Sequence, residues 1–118
     1  MTKAKAKARF KDFGAPVLPD EMEPVTFKLY GNEFECYKQI NGIALLRFVK
    51  EANSEDGARA TQALLDIFNR VMNDKEYERF IELCEDPDTI VPVEVLSEII
   101  SFLIEVYTDR PTKQSEDS

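Results

Sequence analysis

Apolar and polar residues alternate over two short stretches that follow residue 24. The apolar positions of these stretches are Val25, Phe27, Leu29, Phe34 and Cys36. Gly31-Asn32 between them is a turn signal, so the pattern predicts a β-hairpin over residues 25–37 with one apolar face. Because a hairpin of two strands is marginally stable by itself, we expect this face to pack on the rest of the chain.

After the hairpin, apolar residues recur at intervals of three and four, which is the period of an amphipathic α-helix. Four such stretches predict helices over about residues 41–53, 56–72, 74–85 and 92–108. In the first helix the apolar stripe is Ile43, Leu46, Val49 and Ala52, widened by Leu45 and Phe48. Ser54 or Asp56 is expected to cap the second helix, and Asn73 with Glu76 resembles a capping box for the third.

The fourth predicted helix is unusually apolar. Its polar positions form one narrow stripe of Glu94, Glu98, Ser101 and Glu105. A surface helix needs an apolar arc of little more than about 100°, and this helix exceeds that arc. Either the helix is central in the bundle or a partner buries its second side, and the pattern leaves both interpretations open.

The two ends of the chain lack any sustained apolar period. Residues 1–24 predict a flexible arm that contains three prolines, and residues 109–118 predict a flexible polar tail. The arm begins with a basic run, Lys3, Lys5, Lys7, Arg9 and Lys11. What remains is one globular domain over residues 25–108. The predicted fold class is mainly α (α+β), with an N-terminal β-hairpin packed on about four helices.

Composition narrows the classes of function. The 118 residues carry a formal net charge of -8, which disfavours binding to nucleic acid, although the basic run could contact RNA. The chain has no histidine, two cysteines far apart and four glycines that never cluster. We therefore expect no catalytic, cofactor-binding or metal site, and no enzyme. No secretory signal or membrane span is expected either. These observations favour a protein that acts by binding other proteins.

Three short segments between residues 25 and 118 carry a resemblance to a known family. They are residues 27–34 (FKLYGNEF), residues 73–80 (NDKEYERF), and residues 103–107 (LIEVY) running into Arg110-Pro111-Thr112. The chain resembles the tail assembly chaperones of long-tailed (siphovirus-type) bacteriophages, especially those of actinobacteria. It departs from the family in having Asp109 where relatives often have a glycine before Arg-Pro-Thr.

The resemblance implies a role in viral tail morphogenesis. Such chaperones bind the tape measure protein, keep it soluble and help to recruit tail tube (major tail) subunits. They act in the host bacterial cytoplasm during assembly and are absent from the mature virion. In the family a ribosomal frameshift gives a longer product of the same gene, so that residues 112–118 would end the short form. The expected partners are these proteins and further copies of the chain, in a homo-oligomer.

The fourth helix is the expected partner-binding element. The candidate residues are Phe102, Leu103, Val106, Tyr107 and Arg110. An alternative is a small acidic regulatory protein that sequesters a host factor through the same apolar helix. A third interpretation is an RNA-binding accessory that uses the basic run of residues 3–11.

Overall fold

The computed structural model of the chain describes residues 8–109. Two strands, β1 and β2, are followed by four α-helices, α1 to α4. Their bounds are Val25–Leu29, Asn32–Cys36, Gly42–Ala52, Gly57–Val71, Asp74–Glu85 and Val93–Thr108. This architecture confirms the predicted fold class, and the predicted helix bounds differ from the observed ones by at most one residue. A short 3₁₀ helix over Pro19–Glu21 lies in the arm and was not predicted.

The turn of the hairpin lies one residue earlier than the expected Gly31-Asn32. Tyr30 and Gly31 form the loop with φ angles of 51° and 84°, and Asn32 already pairs with Leu29. Positive φ at both loop residues is what a type I′ turn requires, and glycine at its second position is common. The alternation could not distinguish the two turns, because a shift of two residues in pairing keeps the apolar residues on the same face.

An aromatic cluster forms the centre of the core. Phe27 and Phe34, which are cross-strand partners in the antiparallel pair, both contact the ring of Phe80 from α3. Phe68 from α2 stacks on Phe80 with ring centroids 4.5 Å apart. The core also includes the buried side chains of Val25, Leu29, Cys36, Ile67, Val71, Met72, Ile100 and Leu103. The apolar face of the hairpin is therefore buried, as the pattern predicted.

The caps of α2 and α3 are supplied by short polar side chains. Asp56 Oδ1 accepts hydrogen bonds from the backbone N–H groups of Ala58 and Arg59, and Asn73 Oδ1 accepts one from Glu76 at 2.8 Å. These bonds satisfy backbone donors that the first helical turn leaves without partners. Of the two residues expected to cap α2, Asp56 is the cap, while the Ser54 hydroxyl accepts a hydrogen bond from the backbone N–H of Asp56.

Glu76 ties α3 to the hairpin instead of completing a capping box. Its carboxylate accepts a hydrogen bond from the backbone N–H of Glu35 in β2 at 2.9 Å and pairs with Arg79. The Arg79 guanidinium also donates to the carbonyl of Glu33 and lies 4.8 Å from the ring centroid of Phe34. The second half of the capping box is thus replaced by a link between α3 and the outer edge of β2.

Helices α1 and α4 bury far less of their apolar surface than the hairpin does. None of the residues in α1 is buried, and α4 buries only Ile100 and Leu103. Helix α1 packs mainly on α2, where Glu51 forms an exposed ion pair with Arg59 at 3.3 Å. Helix α4 is thus not enclosed by the other elements, and much of its surplus apolar surface lies on its two flanks.

Candidate protein-binding surface

Helix α1 carries three exposed apolar side chains in a row. Ile43, Leu46 and Val49, which we call the α1 face, are 60%, 66% and 41% exposed. Residues three apart are neighbours on a helix surface, so the three side chains form one row. They belong to the stripe that the sequence predicted for this helix, but the part of that stripe packed against the core is Phe48. Single exposed leucines are ordinary, whereas a row of exposed apolar side chains on a helix with no buried residue is a candidate protein-binding surface.

An open groove continues this surface between α1 and α4. Its apolar lining is Phe48, Val49, Ala52, Ile100 and Ile104, and its polar lining is Asn53, Ser101 and Glu105. We call it the α1–α4 groove; it meets the α1 face at Val49. On the α4 side the lining includes two members of the polar stripe, Ser101 and Glu105, and both are exposed. The groove therefore combines an apolar floor with one exposed carboxylate and no basic lining residue.

The predicted α4 residues are divided between two faces of the helix. Phe102, 41% exposed, and the half-buried Val106 line a shallow groove beside Pro24 and Val25 at the start of β1. Leu103 is 0% exposed and belongs to the core. Because consecutive helical residues point about 100° apart, Leu103 cannot share the exposed flank of Phe102. It is thus not available for direct contact with a partner in this conformation.

The other two candidates have different positions. Tyr107 is half-buried, and its hydroxyl donates a hydrogen bond of 2.6 Å to the carbonyl of Tyr37, just beyond β2. This bond holds the end of α4 against the exit of the hairpin. Arg110 lies outside the described residues. The structure thus brings together Phe102 and Val106 on one surface and gives Leu103 and Tyr107 internal contacts.

The sequence pattern placed the expected partner surface on α4 and did not single out the α1 face. A signal was present: between residues 42 and 52 only Arg47, Lys50 and Glu51 are charged, so the apolar arc of α1 is also wide. The pattern shows that the arc is wide but does not show which part of it the rest of the domain covers.

Neither Cys36 nor Cys84 belongs to the α1 face or lines the α1–α4 groove. No group of histidine, cysteine or acidic residues that could hold a metal ion occurs within residues 8–109. Burial raises the pKa of the Cys36 thiol to about 12, with a smaller contribution from the nearby Glu76 carboxylate, and burial also raises the pKa of Cys84. Both thiols are therefore protonated at neutral pH, a state in which thiols are poor nucleophiles.

Comparison of the chain with protein-family models, curated proteins and solved structures gave no match. Among the helices of the described part, none has the length and apolar character needed to cross a membrane.

Proposed function

We propose that the chain is a tail assembly chaperone of a long-tailed bacteriophage, which binds the tape measure protein, keeps it soluble and helps to recruit tail tube subunits. The proposal includes a longer frameshift product of the same gene as a partner, activity in the host cytoplasm and absence from the mature virion. The family assignment is supported by the resemblance of residues 27–34, 73–80 and 103–112. The observation that supports the binding role is the exposure of the three apolar side chains of the α1 face on a helix that has no buried residue.

The physical properties of the surface suit an apolar helical client. Removing a leucine-sized side chain from water contributes about 1.5–3 kcal/mol, so three such residues in a row can anchor an amphipathic helix. The chain has 23 acidic and 15 basic residues, and its net negative charge keeps a complex with such a client soluble. The flank of Phe102 and Val106 offers a second, smaller apolar contact.

Co-expression with the tape measure protein tests the proposal. We expect the large protein to be soluble with this chain, insoluble without it, and to co-elute with it on a sizing column. Leu46→Lys places a charge in the centre of the α1 face and should abolish the rescue. Leu65→Lys is the matched control, because Leu65 is 46% exposed on α2 and lies outside this face.

The outcomes separate the proposal from its alternatives. A tape measure protein that stays insoluble with the wild-type chain contradicts the chaperone function, and this result would favour a regulator of a host factor. If rescue survives Leu46→Lys but is lost in Val106→Asp, the client binds the α4 flank and the α1 face is not its site. If Leu65→Lys is as damaging as Leu46→Lys, general destabilisation or charge explains the loss.

A further inference from the structure

The arm, residues 1–24, carries two large apolar side chains that are exposed and not packed in the core. Phe10 and Phe13 are 88% and 83% exposed, although they precede a domain that leaves an apolar groove open. Phenylalanine gains more than almost any other residue from burial, and buried aromatic residues are typical anchors of protein interfaces. The two rings are thus large, exposed aromatic side chains of the kind that anchor protein interfaces.

Local contacts give the segment around Phe13 a defined shape. The Asp12 carboxylate accepts a hydrogen bond from the backbone N–H of Gly14 at 2.9 Å, and Gly14 adopts a φ of 92° that favours glycine. The Lys11 ammonium lies 5.3 Å from the centroid of the Phe13 ring. A turn therefore presents Phe13 beside a positive charge.

The charge of the arm is opposite to that of the α1–α4 groove. Residues 1–11 contain five basic residues and no acidic one, whereas the rest of the chain is strongly acidic. The groove is lined by the exposed carboxylate of Glu105 and by no basic residue, and Glu98 is exposed on the same helix three residues before the groove residue Ser101. Opposite charges around an apolar contact steer association and fix orientation. The groove thus matches the arm in its apolar floor and in the sign of its charge.

We infer that the arm of one copy, anchored by Phe10 and Phe13, binds the α1–α4 groove of a second copy of this chain. The exposure of both rings argues against docking on the same copy. The segment from Gly14 to Pro24 can span at most roughly 40 Å, which is enough to reach a neighbouring domain. This self-association requires no client and goes beyond the chaperone function, although the groove adjoins the α1 face at Val49.

Sedimentation velocity of the full chain over a range of concentrations tests this inference. The wild-type chain should associate reversibly, and Phe10→Ser with Phe13→Ser should weaken the association at least about tenfold, the effect of losing one interface anchor. Raising the salt concentration should also weaken it. A wild-type chain that stays monomeric, or a double variant that associates like the wild type, would overturn the inference.

A pair of variants on α4 tests the groove itself. Ser101→Lys places a cation in the groove one turn from Glu105 and should weaken association about tenfold. Ser97→Lys is the matched control, because Ser97 is also exposed on α4 but does not line the groove, and it should associate like the wild type. Equal effects of the two variants would overturn the groove as the binding site. Loss of association after nuclease treatment would overturn the inference in favour of RNA as the bridging partner.

Discussion

The two halves of this small domain differ in how much of their apolar surface they cover themselves. In the hairpin half, made of β1, β2, α3 and the buried side of α2, the aromatic cluster and the Glu76 link bury the apolar side chains. In the open half, made of α1 and the outer flanks of α4, apolar side chains line a face and a groove. The open half is also the more apolar in sequence, since seven of the twelve residues of α3 are charged whereas α4 has only one narrow polar stripe. The difference shows which half is stabilised by its own contacts and which half leaves apolar surface exposed.

The largest expected effect comes from removing the centre of the hairpin half. Phe80→Ala deletes the ring that contacts Phe27, Phe34 and Phe68, and it should lower the free energy of unfolding by about 3–5 kcal/mol. Typical domains are stable by only about 5–15 kcal/mol, so this variant should be partly unfolded at modest urea concentrations. Urea denaturation followed by circular dichroism measures the change.

A matched truncation in the open half completes this test. Leu46→Ala should change the free energy of unfolding by at most about 0.5 kcal/mol, because the Leu46 side chain is exposed and its truncation removes no core contact. An equal loss in Leu46→Ala and Phe80→Ala would contradict the division into two halves.

A smaller effect is expected from the link between α3 and β2. Glu76→Gln keeps an acceptor but removes the charge that strengthens the bonds to the Glu35 N–H and to Arg79, and it should cost about 1 kcal/mol near pH 7. Glu78→Gln, on an exposed position of the same helix, should change stability by less than about 0.5 kcal/mol. Equal stability of the Glu76→Gln variant and the wild type in urea would show that the link is dispensable.

The same link predicts a dependence on pH. The hydrogen bond from the Glu35 N–H, followed by the contacts with Arg79, lowers the pKa of Glu76 below its usual value of 4.5. A lowered pKa in the folded state stabilises the protein above pH 4.5, and this contribution is lost as the pH falls through the lower, folded value. The difference in stability between the wild type and Glu76→Gln should therefore shrink below pH 4.5. A difference that stays constant down to pH 3 would contradict this assignment.

The sequence predicted the two halves unequally well. Alternation and capping signals are local, so the hairpin, the four helices and the caps at Asp56 and Asn73 could be found from the sequence. The hydrogen bond from the Glu35 N–H to the Glu76 carboxylate could not be found from the sequence. The two residues are 41 positions apart, and only the packing of α3 on the hairpin brings them together. The same limit applies to α1, since periodicity gives the width of an apolar arc but not the neighbour that covers it.

The smallest expected effect concerns α4, which belongs to the core on one side and to the open half on its flanks. Tyr107→Phe removes the hydrogen bond to the Tyr37 carbonyl and should lower the free energy of unfolding by about 0.5–1 kcal/mol, because that carbonyl then loses its donor. Tyr30→Phe removes a longer hydrogen bond of 3.1 Å from an exposed hydroxyl to Ile90 and should cost less, since water can replace it. Urea denaturation of both variants measures the difference. If Tyr107→Phe is as stable as the wild type, the end of α4 is not held to the hairpin half by this bond.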